Sequence, residues 1–142
     1  RELWLGGILI PFEKGLLGHS DADVLIHAIC DALLGAAGLG DIGSHFPDNA
    51  AEYKNIDSKI LFKKTMNLLA EKHWEVLNID ATLLAERPKI NSYIPQMQAC
   101  LAGLAQVDKE KISIKATTSE KMGFVGREEG MAAMAVALIG RK

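Results

Sequence analysis

The sequence predicts an α/β (α+β) domain, a single sheet with helices packed on one face, and three observations carry that expectation. Leu77, Ile79, Ala81, Leu83 and Ala85 alternate with polar neighbours, as do Ile112, Ile114 and Ala116, which is the period of a half-buried strand. Elsewhere apolar residues recur at helical spacing. Strands and helices interleave along 142 residues, the pattern expected of helices layered on a sheet.

Residues 3–12 read as a strand or hairpin arm, bent at Gly6-Gly7 and stopped by Pro11. Ser20 is a good N-cap with Asp23 three residues on, so a helix is expected from about Ser20 to Ala37. Its apolar face is expected to hold Leu25, Ala28, Ile29, Ala32, Leu33 and Ala36, with Asp23, His27 and Asp31 on the opposite side. Gly38 to Tyr53 is a long, unperiodic loop of the kind that holds ligands or forms a lid. Asp57-Ser58 caps a second helix running to about Lys72, with Leu61, Thr65, Leu68 and Leu69 inside and His73 as a C-terminal cation. A third helix runs from about Ser92 to Gln106, with Pro95 confined to its first turn. Met131 to Ile139, bounded by Gly130 and Gly140, has strand length. The expected order is β-α-(loop)-α-β-α-β-β.

The length suits one domain spanning residues 1–142. Hydrophobic content of 49% against 24% charged residues leaves apolar surface to bury between subunits. A net charge of −2 excludes a broad basic face for nucleic acid and favours a small polar ligand. No apolar run reaches the ~20 residues of a membrane span, and the first residues carry no signal-peptide pattern, so no membrane partner is expected. Cys30 and Cys100 lie in separate apolar stretches and read as buried, reduced thiols. The chain opens at Arg1 and enters an apolar stretch almost at once, so the natural chain is expected to be longer.

Chemistry concentrates in Gly18–His27, where two histidines and two aspartates crowd a helix start whose first N–H groups make a seat for phosphate. His27 is either a surface histidine or a metal ligand. A zinc site needs three or four ligands, and spacing alone does not assemble one from His19, His27, His45 and His73. Thr117-Thr118-Ser119-Glu120 offers hydroxyls, backbone donors and a carboxylate, as a phosphate with a divalent cation requires, or forms an ordinary capped turn. Asp41 either accepts from sugar hydroxyls or stabilises its turn. Arg127 either grips a phosphate or pairs with Glu128-Glu129 at the surface.

Four segments then occur in order: EKGLLGHSDADVLIHAICDALLG within residues 11–35, GDIGSHFPD from Gly40 to Asp48, ERPKI from Glu86 to Ile90, and KATTSEKMGFVGREEG from Lys115 to Gly130. Together they resemble the 2-C-methyl-D-erythritol 2,4-cyclodiphosphate synthase family, cyclising enzymes of the non-mevalonate isoprenoid pathway. The resemblance implies a homotrimer with interfacial active sites and an intramolecular phosphoryl transfer on a cytidine diphosphate substrate. It implies zinc on His27, magnesium or manganese on Glu120, and His19 with Thr118 at the reacting phosphates. Ser20 joins His19 on the substrate phosphate, Asp41 and Gly43 meet the ribose, and Phe46 and Asp48 complete that substrate-binding loop. Ala85, Pro88, Lys89, Ala116 and Thr117 match the cytidine pocket. Phe124 and Arg127 match residues lining an axial cavity that can hold an isoprenoid diphosphate.

The family's Asp-x-His zinc motif precedes the segment that begins here at Arg1, so two zinc ligands have no counterpart and these 142 residues alone are expected to be poorly active. Ser119 and Val125 stand where threonines are common, and Glu86-Arg87 replaces a less charged pair. The implied location is bacterial cytoplasm, with a plastid-type organelle as the alternative. The competing readings are a non-catalytic nucleotide or isoprenoid-diphosphate binding module and the C-terminal half of a bifunctional cytidylyltransferase/cyclase.

Overall fold

The structure, a computed structural model, describes residues 2–12, 23–47, 49–53 and 56–142. His19, Ser20 and Asp48 lie outside them. The chain opens with a hairpin of β1 (Leu3–Leu5) and β2 (Ile8–Ile10), paired antiparallel. Gly6 and Gly7 have φ of 59° and 81°, the left-handed pair that a two-residue turn needs to match strand twist. A Cβ on Gly7 would also sit 2.6 Å from the Sγ of Cys100, so a side chain there meets both strain and a clash.

Helix α1 (Val24–Ala36) follows. Its cap lies three residues after the expected one, because Asp23 is the N-cap and accepts from the N–H of Ile26 at 3.0 Å. Its buried positions are Leu25, Ile26, Ile29, Cys30, Leu33 and Leu34, a wider stripe than expected and turned away from Ala28, Ala32 and Ala36. The reason is that α1 lies between layers, with the sheet on one side and α3 (Ser58–Glu71) on the other. The short helix α2 (Ile42–His45) lies within the expected loop. Asp57 caps α3 by accepting from Lys59 N–H at 2.8 Å, and the helix buries Leu61, Phe62, Thr65 and Leu69. His73 stands just past its end with φ of 65°.

Strand β3 (Trp74–Leu84) is central, parallel to β4 (Ile112–Thr117) and antiparallel to β5 (Ala132–Arg141), giving the order β4-β3-β5. The expected single sheet is therefore corrected: the described residues form this three-stranded sheet and a separate two-stranded hairpin. Gly6 and Gly7 place their N–H groups on Asp23, which anchors the hairpin to the start of α1 instead of to the edge of the sheet. A register shift between Val76 and Asn78 breaks the alternation, so Val76 is buried while Leu77 turns outward.

Helix α4 (Ile94–Ala105), with Pro95 in its first turn, packs on β4, and α1 packs on β5 and β3. These helices cover one face. Ile79, Ala81, Leu83, Ile112 and Ile114 point into that core, each large aliphatic side chain contributing about 1.5–3 kcal/mol. Ala133, Ala135 and Ala137 of β5 also pack against it, and their small side chains let α1 approach closely. The other face carries Asp80, Thr82, Lys115, Met134, Val136 and Leu138; Lys115 Nζ lies 2.9 and 3.0 Å from the two Asp80 oxygens. Both cysteines are free, Cys30 buried as expected and Cys100 only half-buried.

Candidate functional site

The parallel pairing of β3 and β4 carries both strands to a common end. Leu83 registers with Ala116 and Leu84 with Thr117, and Ala85 N–H then donates to Thr117 O at 3.0 Å. Ala85, Ala116, Thr117 and Thr118 are thus delivered to one edge, beyond the carboxyl ends of parallel strands, where α/β proteins commonly bind ligands. The chain turns sharply here through the cis Arg87–Pro88 bond, which leads into exposed Lys89.

The turn after β4 is unusual. Glu120 and Lys121 both have left-handed backbones, with φ of 54° and 66°, a conformation costing a non-glycine residue about 1–2 kcal/mol. Glu120 N–H donates to Thr118 Oγ1 at 3.2 Å, and Met122 N–H to Ser119 O at 3.1 Å. Glu86, which sequence reading noted only as an added charge, supports this turn from outside. Its Oε1 accepts from the N–H of Ser119 at 3.0 Å and of Lys121 at 3.2 Å, and lies 3.2 Å from Ser119 Oγ. That hydroxyl also lies 2.7 Å from Met122 O, so its single proton serves one acceptor at a time. One backbone donor of the run expected to meet a phosphate, the Ser119 N–H, is therefore taken by Glu86. Glu120 is exposed.

Arg127 closes this region with the expected surface pair: its Nε donates to Glu129 Oε2 at 3.0 Å, which raises the Arg127 pKa and lowers that of Glu129. Glu128 instead receives Arg87 Nε at 2.8 Å, tying the loop after β3 to the loop before β5. Phe124, in the four-residue helix α5 (Gly123–Gly126), is half exposed. A Cβ on Gly126 would overlap the backbone of Lys121 and lie 2.6 Å from its carbonyl oxygen, so glycine is required there.

A second group surrounds α1 and α2. Asp41 caps α2, accepting at Oδ1 from the N–H and the hydroxyl of Ser44, both at 2.9 Å; these bonds hold its carboxyl below the usual aspartate range. Gly43 lies inside α2 and Phe46 at its C-cap. Asp31 accepts from Ile42 N–H at 2.9 Å, and His45 Nε2 donates to Leu39 O at 2.6 Å, so α1 and the loop fix where α2 sits.

His27, Asp23 and Asp31 do not converge as the polar stripe suggested. Asp23 is fully buried and structural, accepting from Gly6, Gly7 and Ile26 at 3.0, 2.8 and 3.0 Å. Asp31 serves α2. His27 Nε2 lies 3.1 Å from Ser58 Oγ, bridging α1 and α3. Among the described residues no three histidine, cysteine, aspartate or glutamate side chains gather as a metal site, so His27 offers one imidazole where zinc needs three or four ligands. Glu120 is a better fit to its cation, since magnesium takes one or two carboxylates and completes its shell with substrate phosphates and water.

Fold and site define an α/β protein that presents backbone groups, hydroxyls and an exposed carboxylate at the end of parallel strands, suited to a phosphorylated ligand with a divalent cation. The chain belongs to the YgbB family, whose model matches residues 1–140. It is 68% identical to the 2-C-methyl-D-erythritol 2,4-cyclodiphosphate synthase of Bacteroides fragilis, over 99% of this chain and 89% of that protein. It is 66% identical to the protein of the same name from Bacteroides thetaiotaomicron, over 98% of this chain and 87% of that one. The bifunctional IspDF of Campylobacter jejuni superposes with a TM-score of 0.95 at 42% identity over 100% of this chain, which spans 38% of the length of that protein. The CDP complex of Plasmodium falciparum IspF superposes with a TM-score of 0.88 at 32% identity, over 99% of this chain and 85% of that one.

Proposed function

We propose that this chain converts 4-diphosphocytidyl-2-C-methyl-D-erythritol 2-phosphate into 2-C-methyl-D-erythritol 2,4-cyclodiphosphate and CMP, as a phosphorus-oxygen lyase. The observation that carries the reading is the delivery of Ala85, Ala116, Thr117 and Thr118 to one edge beside the exposed Glu120. The activity named for its close relatives supports it.

An oxygen of the substrate's 2-phosphate attacks the β-phosphorus, and the bond from that phosphorus to the bridging oxygen of CMP breaks, CMP leaving with the electron pair. Nucleophile and leaving group share one molecule, so the protein's task is positioning and charge neutralisation. Backbone groups of Ala85, Pro88, Lys89, Ala116 and Thr117 hold the cytosine. Asp41 and Gly43 hold the ribose, with Asp41 offering the oxygen that does not cap α2, and Phe46 and Asp48 complete that loop. His19 and Ser20 bind the attacking phosphate, and Thr118 steadies the diphosphate. Magnesium or manganese, held by Glu120, neutralises diphosphate charge when bound. His27 would contribute its imidazole to zinc.

The apolar stripe of Met134, Val136 and Leu138 on the open sheet face, each more than half exposed, supports a homotrimer with Phe124 and Arg127 at an axial cavity able to take an isoprenoid diphosphate. No helix among the described residues is long and apolar enough to cross a membrane, and a cytoplasmic enzyme is the corresponding reading.

Phosphorus NMR of substrate incubated with the full-length protein, zinc and magnesium tests the proposal. CMP and the cyclic diphosphate are expected, with Glu120→Gln slowing their appearance by roughly 10²–10³-fold. Intact substrate in the presence of both metals would overturn it.

A further inference from the structure

We infer that Glu86 is a positioning residue: its carboxylate holds the Ser119–Lys121 turn in the conformation that presents Glu120 to a divalent cation. The inference rests on the reading above, in which Glu120 is the cation's protein ligand. Glu86 Oε1 lies within 3.2 Å of three donors on residues immediately flanking Glu120, so this oxygen is engaged by the turn. Such support is needed because two consecutive non-glycine residues, Glu120 and Lys121, adopt left-handed backbones that a free loop would abandon. Gly126 completes the clamp from the other side, admitting the Lys121 backbone against α5.

Glu86 also sits one residue after Ala85 and two before Pro88, on the segment assigned to cytosine. Arg87, next in sequence, grips Glu128 at 2.8 Å. The loop after β3 therefore holds the turn after β4 through Glu86 and the loop before β5 through Arg87, so the segment assigned to cytosine is tied directly to the turn that carries Glu120. Removing the Glu86 carboxylate leaves Glu120 in place chemically but free to leave its geometry, the effect of losing an outer partner of a metal ligand.

The test uses Glu86→Ala, Glu86→Met and Glu86→Gln in the full chain. Binding of Mn2+ to the CDP-saturated protein is followed by electron paramagnetic resonance, and amide exchange of the Ser119–Lys121 segment by mass spectrometry. The Ala and Met variants are expected to bind Mn2+ about tenfold more weakly and to lose protection across that segment. The turnover they lose is expected to return at raised Mg2+. Glu86→Gln keeps an acceptor oxygen at the same reach and is expected to restore both readouts to within about threefold of wild type. Unchanged Mn2+ affinity in the Ala and Met variants would overturn the inference. So would unfolding of both, which would make Glu86 a purely structural residue. Absence of turnover in the wild type would instead strike the proposed reaction, and the Mn2+ and exchange measurements would still decide the role of Glu86.

Discussion

Asp23 shows how far a residue's role depends on partners distant in sequence. Helical periodicity placed it on a polar stripe with His27 and Asp31, yet its carboxylate is buried and accepts three backbone N–H groups, two from a turn some sixteen residues upstream. Periodicity reports which way a residue faces on its own helix, and it carries no information about a hairpin folding over the helix start. Replacing Asp23 with alanine would strand those donors, each unpaired buried group costing about 1–3 kcal/mol. Urea unfolding should therefore show a loss of at least about 2 kcal/mol, and a smaller change would mean that water reaches the turn. Asp41 behaves differently because it is exposed. Bonds from Ser44 lower its folded pKa below the ordinary 3.8, so the cap's contribution is fully present above that value and is lost as pH falls through the depressed one. The Ser44 amide resonance should titrate with a midpoint below 3.8. A midpoint at or above it would show that the cap is not formed in solution.

At the scale of elements, what the sequence made legible were the long segments: α3, β4 and α4 occur where helical spacing, alternation and the place of Pro95 put them, and β5 where a glycine-bounded run of strand length did. The glycine and threonine motifs located the turn after β4 as well. What escaped was tertiary. The bulge at Leu77 shifts the inward register of β3 by one residue, a change that alternation alone has no means to signal. Glu86 escaped because its partners lie more than thirty residues away and an acidic residue before a proline reads as solvent-facing. In α5, Gly126 is packed against the Lys121 backbone, a contact that no local pattern signals. Gly126→Ala should displace the Ser119–Lys121 turn, lowering stability by about 1–3 kcal/mol and turnover along with it. Thermal unfolding and the phosphorus NMR assay should report both, and a fully active, equally stable variant would show that the contact relaxes freely.

Across the whole molecule, the sheet is covered by helices on one face and left open on the other, where Met134, Val136 and Leu138 form an apolar row. An antiparallel edge strand with three large apolar side chains facing water invites a partner, and the excess apolar composition pointed the same way. Val136→Asp would place a charge in the middle of that row. Light scattering should then find the mass of one chain in place of the proposed three, with turnover lost if sites are shared between subunits. A trimer that survives the substitution would place the subunit contact elsewhere.

Burial also bears on the chemistry of the two thiols. In Cys30, enclosed by α1 and α3, burial pushes the thiol pKa up to about 12, whereas Cys100 is only half-buried beside the Gly6-Gly7 turn. The thiolate is the species that alkylating reagents attack. Cys30 therefore becomes an internal clock: the rate at which it is modified in native buffer measures how often the whole core opens, while Cys100 keeps time only for the hairpin above it.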